Sequence, residues 1–242
     1  MRDLERKIVS RTIRWFFRLF IQMDDEELVK VPRSGPLIIV ANHVNSIEVP
    51  VIFTHLYPRP IRGLAKIETW DNWLFNYLFT LWQVIPIRRG EADLNAFNLS
   101  LQALARGDIL GIMPEGTRSR DGRLKKGLPG VVLLALRSKA VIHPIGMYGH
   151  ESFWQNLRRF KRTPFHIRVG NPFSLDAHGQ SLTREVREQM TAEIMYQLAA
   201  LLPPAYRGYY SDLSRATETY LRFAPGVANN LTLASDRPNP AP

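Results

Sequence analysis

The sequence predicts an α/β fold: a single domain with a mostly parallel central sheet flanked by helices, carrying an N-terminal amphipathic helix suited to a membrane interface. Three observations lead there. From residue 28 onward, short apolar β-branched runs alternate with helix-length segments, the βαβα order that builds parallel sheets. A chain of 242 residues with 45% hydrophobic content can bury one good core and does not demand two. Residues 4–23 crowd bulky apolar side chains and cations into one helical stretch.

That first stretch carries Ile8, Val9, Ile13, Trp15, Phe16, Phe17, Leu19, Phe20 and Ile21, with cations at Lys7, Arg11, Arg14 and Arg18. The cation spacing stacks all four on one helical stripe. Such a helix lies in a membrane interface with its arginines at anionic head groups, or docks on its own domain with a solvated basic edge. So many Phe and Trp residues exceed the needs of one packing face, which favours the membrane. The acidic run 24–27 ends the segment, so residues 1–27 read as one unit and 28–210 as the main domain. No apolar run reaches the ~18 residues that span a bilayer, and no signal peptide with a small-residue cleavage site is evident.

Within the main domain, strands are expected over 36–41, 63–65, 84–87, 109–113, 141–145 and 166–169. Helices are expected over 51–56, 73–81, 92–105 and 131–136. A long helix over 183–202 is halted by Pro203 and Pro204. After Tyr210 the charge pattern loosens, and 211–242 reads as a loosely structured to disordered tail.

Composition removes several chemistries. With no cysteine there is no disulfide, thiolate nucleophile or cysteine-ligated metal, which fits a reducing cytosolic face. The balance of 32 Lys+Arg against 22 Asp+Glu gives +10 and suggests an anionic partner. No RNP or zinc-finger pattern supports nucleic acid as that partner. Phosphate-loop, dinucleotide-loop and GxSxG patterns are missing. His55, His143, His150, His166 and His178 show no paired metal-ligand spacing and read as structural or surface residues, so no metal is expected.

Four expected strand ends carry chemistry-bearing side chains, and in such folds strand ends are where functional residues gather. The run 36–41 is followed by His43 and, five residues later, Glu48. An imidazole with a carboxylate on one ring nitrogen is the minimal kit for taking a proton from a hydroxyl. On one helix, residues five apart diverge by roughly 140°, so the pair requires His43 before a helix and Glu48 in its first turn. Ser46 is a fair N-cap, with Pro50 then in that turn. The strand over 109–113 feeds Glu115, Gly116, Thr117 and Arg118, a glycine for close backbone approach and a guanidinium suited to phosphate. Lys66 and Glu68 follow a third strand, and Arg88 and Arg89 a fourth.

These blocks, in this order, resemble the glycerolipid acyltransferase family, whose best-known members are the 1-acylglycerol-3-phosphate acyltransferases. The family's histidine–four residues–aspartate block appears as His43 and Glu48, so the acid is a glutamate here. Its K-x-E block and downstream I-P-V-R run appear as Lys66, Glu68 and VIPIRR with Arg88. Its F-P-E-G-T-R-S block appears as residues 113–119 with only Met113 changed, and its last apolar block as VIHPIGMYG around Pro144. The resemblance implies transfer of an acyl group from acyl-CoA or acyl-carrier protein to the hydroxyl of a lysophospholipid, with no cofactor beyond that donor. It implies His43 as general base, Glu48 orienting it, and Arg118, Gly116, Thr117, Glu115, Lys66 and Arg88 as the acceptor-phosphate group, Glu115 also bracing its loop. The partners would be a lysophospholipid, the acyl donor and an anionic membrane surface, and the location the cytoplasmic face of a membrane. The competing reading is a non-catalytic lipid- or phosphate-binding protein of the same fold, in which Glu48 marks a lapsed dyad.

Overall fold

Strand placement follows from which apolar runs can be buried on both faces. The computed structural model describes residues 2–88, 90 and 93–236. Helix α1 (Arg2–Phe20) leads into β1 (Ile21–Asp24), followed by β2 (Leu37–Ala41), α2 (Glu48–His55), β3 (Ile61–Lys66), α3 (Trp73–Trp82) and β4 (Ile85–Ile87). Then come α4 (Leu94–Ala105), β5 (Ile109–Ile112), α5 (Gly130–Ser138), β6 (Val141–Tyr148), α6 (Phe153–Arg158) and β7 (Thr163–Val169). The chain continues through β8 (Phe173–Leu175), α7 (Arg184–Ala199), β9 (Leu221–Phe223) and α8 (Asn230–Asp236).

The sheet order is β1-β7-β6-β2-β5-β3-β4, with β8 joining β6 to β9. Strands β6, β2, β5, β3 and β4 are mutually parallel, while β7 runs antiparallel to β6. All five residues of β2 are buried, as expected of a parallel strand covered on both faces. One face packs Ile38, Val40, Leu110 and Ile142 with the apolar sides of α4, α5 and α7. The other packs Leu37, Ile39 and Ile109 with Phe17 of α1 and Val51 and Ile52 of α2. The mostly parallel sheet flanked by helices is the fold the sequence predicts. Its parallel strands end along one edge, at Ala41, Lys66, Ile112 and Tyr148.

Two segment boundaries differ from expectation. Residues 1–27 are not a separate unit. β1 is an edge strand paired in parallel with β7, and Asp24 binds Arg168 at 2.7 Å and His166 at 3.1 Å. One face of α1 docks on the domain through buried Phe17 and Ser10, with Arg6 Nε donating to the Leu81 carbonyl and Arg14 Nε to the Thr54 carbonyl, each at 2.9 Å. Arg14 therefore leaves the solvent stripe. The opposite face exposes Leu4, Ile8, Trp15, Phe16 and Leu19.

The second correction concerns 211–242. β9 pairs with β8, and Tyr220 and Leu221 are buried. Buried Glu193 of α7 accepts the Thr219 and Tyr220 amides, and Gln197 accepts the Asn230 amide at 2.9 Å. A polar-looking segment is thus ordered by partners on a helix some 30 residues earlier. Residues 237–242, the end of the expected tail, lie outside the described residues, as does Arg89.

Candidate active site

The site begins where β2 ends. The Asn42 side chain exchanges two hydrogen bonds with the Met147 backbone, at 2.7 and 2.8 Å, locking this strand end to β6. The His43 backbone is then pinned by the loop after β5. Its amide donates to Glu115 Oε1 at 2.8 Å, and its carbonyl accepts the Ser119 amide at 2.7 Å. Helix α2 starts at Glu48, so His43 precedes the helix and Glu48 lies in its first turn, with Pro50 close behind. Ser46 is not the cap. Ile47 holds that position without a side-chain bond, and Glu48 itself receives the Val44 and Asn45 amides at 2.8 and 2.7 Å on Oε1. A carboxylate at a helix start satisfies free amides and suits the positive end of the helix dipole.

This fold-back absorbs the extra methylene of glutamate and leaves Oε2 facing His43 Nδ1 at 3.4 Å. Neither of those two atoms has a formed hydrogen bond among the described residues; the pair stands at the loose separation common in unliganded sites. Glu48 is 0% exposed and His43 14%. Burial pushes the Glu48 pKa up, but the bond from His150 and the approach of the His43 ring outweigh it and hold it at about 2. The group is ionised at neutral pH and can stabilise an imidazolium at His43. Nδ1 faces the carboxylate, so Nε2 is the nitrogen left for a ligand.

His150 is the residue that sequence reasoning missed. Its Nε2 lies 2.7 Å from Glu48 Oε1, and its side chain is fully buried. No local spacing links residues 102 positions apart. The available signal was that His150 closes the strand block around Pro144, another parallel strand end.

His43 and Glu48 stand beside a cavity of about 200 Å³ between the sheet and helices α2 and α3. Gly116, Arg118 and Lys66 line it near the strand ends, while Ile61, Phe53 and Trp82 line it deeper in. Its floor owes its depth to two glycines. Gly63 of β3 and Gly111 of β5 are register partners, and both line the cavity, so two adjacent side chains are missing from one sheet face.

The expected site residues therefore divide. His43, Glu48, Lys66, Gly116 and Arg118 share the cavity. Lys66 Nζ pairs with Glu68 at 3.1 Å. Gly116 has φ +66°, a left-handed backbone conformation that favours glycine. Glu115 does not face a ligand. It is buried, its oxygens accept the His43 and Lys125 amides, and burial pushes its pKa up to about 7; it is the brace between the two loops. Thr117 and Arg88 are outside the cavity lining, and the Arg88 amide binds Asp93 at 3.0 Å. Arg88 follows β4, the outer strand of the sheet, whereas Thr117 stands between two residues that do line the cavity, Gly116 and Arg118. His143 is structural, its Nε2 2.7 Å from the Gly170 carbonyl and its pKa lowered to about 4 by burial.

The chain is similar to known acyltransferases. The chain is 29% identical to a 1-acyl-sn-glycerol-3-phosphate acyltransferase of Limnanthes douglasii over 72% of its own length and 62% of that relative. It is 31% identical to a lyso-ornithine lipid O-acyltransferase of Pseudomonas aeruginosa over 57% of its length and 54% of that relative. The match thus spans less than two thirds of either relative. The crystal structure of the 1-acyl-sn-glycerophosphate acyltransferase of Thermotoga maritima superimposes with a TM-score of 0.56 at 21% identity, covering 80% of each chain, which shows the fold. The family model described as Acyltransferase matches residues 22–148, from β1 through the end of β6 and so across both halves of the site. This chain belongs to the acyltransferase family.

Proposed function

We propose that the protein transfers a fatty acyl group from an acyl thioester, acyl-CoA or acyl-carrier protein, to the free hydroxyl of lysophosphatidic acid or a related lysophospholipid, in phospholipid biosynthesis. The observation that carries this reading is the His43–Glu48 pair, with its buried anionic carboxylate, set against a deep apolar cavity. A long alkyl chain fits such a cavity by burial of its methylenes.

His43 Nε2 takes the acceptor's hydroxyl proton as its oxygen attacks the thioester carbonyl carbon. Glu48 stabilises the imidazolium that forms. Collapse of the tetrahedral intermediate breaks the carbon–sulfur bond, and the thiol leaves with the proton returned by His43. No acyl-enzyme forms, and no cofactor beyond the donor takes part. Arg118 and Lys66 bring positive charge to the cavity beside His43 and suit the acceptor's phosphate. A lapsed dyad is the competing reading. Against it stands the Glu48 geometry, in which one oxygen is saturated and the other is kept for His43.

The exposed apolar face of α1 and the exposed cations Lys7, Arg11 and Arg18 support peripheral attachment to an anionic membrane surface, assigned here to the cytoplasmic face. Among the described residues no helix is long and apolar enough to cross a membrane. The test is product formation from acyl-CoA and acyl-carrier protein with lysophosphatidic acid, lyso-ornithine lipid or no acceptor. Diacylated product with lysophosphatidic acid is expected. Folded protein that binds lysolipid but acylates none of them would overturn the enzyme reading.

A further inference from the structure

We propose that His150 is the positioning residue of the dyad: by holding one oxygen of Glu48 it reserves the other for His43, so that Glu48 and His150 work as a matched pair. The kinetic part of this proposal rests on the acyl-transfer reading; the geometric part does not.

His150 follows β6 through Gly149, whose φ is +89°, and so emerges beside the end of β2. Its carbonyl accepts Asn45 Nδ2 at 2.8 Å, tying it to the loop that carries His43. Its ring lies against Phe165, centroids 4.1 Å apart. Nε2 is 2.7 Å from Glu48 Oε1, whereas Nδ1 is buried with no hydrogen-bond partner among the described residues. A proton on Nδ1 would be a stranded buried donor, so the tautomer that satisfies the site carries its proton on Nε2, aimed at the carboxylate. A buried ring committed on one side only is oriented by what it holds.

Glu48 Oε1 thus has three donors: the Val44 and Asn45 amides and His150. With that oxygen saturated, rotation of the carboxylate would break all three bonds, and Oε2 stays turned to His43. Glutamate has one more rotatable bond than the family's aspartate and needs this third anchor. An aspartate here would end about 1.5 Å short, too far to keep the His150 bond. Restoring the family's residue at this position should therefore impair the site. The other ionisable groups near the pair are Glu115, behind His43, and Arg118 and Lys66, which line the cavity.

The experiment compares wild type with His150→Gln, His150→Asn, His150→Leu, Glu48→Asp and the Glu48→Asp/His150→Leu double variant. Readouts are kcat and KM, the acid limb of kcat/KM against pH, and the titration of His43 followed by NMR without substrate. Glutamine places an amide nitrogen where Nε2 lies and should keep most of the activity. Asparagine mimics only Nδ1, so it should behave like leucine. Both should lose kcat by on the order of tenfold or more with KM unchanged, and lower the His43 midpoint as its carboxylate loosens. Glu48→Asp should cost activity alone and little more on top of His150→Leu.

Equal activity of the Gln and Asn variants would overturn the proposal even if the Leu variant failed to fold. So would a loss confined to KM, or an unmoved His43 titration. Wild type without acyl transfer would refute the proposed function separately, and the His43 titration would still decide the positioning role.

Discussion

Filling the cavity floor at Gly111 asks directly whether an acyl chain lies along it. Gly111 sits in β5 between Ile39 of β2 and Gly63 of β3. A Cβ built there meets only the Arg62 carbonyl, at an ordinary 3.7 Å, and a strand accepts a β-branched side chain. Valine puts three carbons into space now open, displacing about three methylene-sized groups of a long chain. At about 0.8 kcal/mol each, the loss is about 2.4 kcal/mol, or about 60-fold in relative kcat/KM. The assay is kcat/KM for hexadecanoyl and decanoyl thioesters with one acceptor. The long-to-short ratio should fall by about that factor, with the decanoyl rate near wild type. Equal loss for both donors, or an unchanged preference in protein with an unaltered melting temperature, would refute the idea that the chain reaches Gly111.

Further predictions follow from the charges. The Glu48 pKa of about 2 lies below its ordinary 4.5, so its contribution to stability is full above pH 4.5 and lost as pH falls toward 2, about 3 kcal/mol in all. Denaturant titrations across that range should show the loss, and Glu48→Gln should abolish it while cutting kcat by roughly 10²–10⁴-fold. Glu115 has the opposite sign: with its pKa raised from 4.5 to about 7, stability should fall as pH rises through that interval, and Glu115→Gln should remove the slope. Arg118→Ala should raise KM for lysophosphatidic acid about tenfold or more, whereas equal effects on a neutral acceptor would contradict its phosphate role. Trp15→Ser with Leu19→Ser should weaken flotation with anionic liposomes while leaving the melting temperature nearly unchanged, because both side chains are exposed. Unaltered flotation would remove α1 from the membrane contact.

How much of this was legible follows from where the information resides. Strands β2, β5 and β6 announced themselves as apolar runs because each is buried on both faces. His43 and Glu48 were legible because a loop and one helical turn bring them together. β1 was hidden: the run of four residues after α1 reads as the end of an amphipathic helix, and only β7, some 140 residues later, makes it a strand. The C-terminal segment looked loose for the same reason, since its anchors Glu193 and Gln197 belong to α7. Glu115 looked like a ligand contact because its motif neighbours Gly116 and Arg118 line the cavity, but its side chain turns inward to the His43 amide. His150 was passed over with the other histidines, and only the closing of β6 against β2 reveals what it holds.

On the proposed function, His43 is the base for acyl transfer to a lysolipid hydroxyl. Its most direct test is thiol release from an acyl thioester, with and without lysophosphatidic acid, in wild type and His43→Ala. Acceptor-dependent release is expected in wild type and none above background in the variant, with lysolipid affinity retained. Acceptor-dependent release persisting in a folded His43→Ala protein would contradict it.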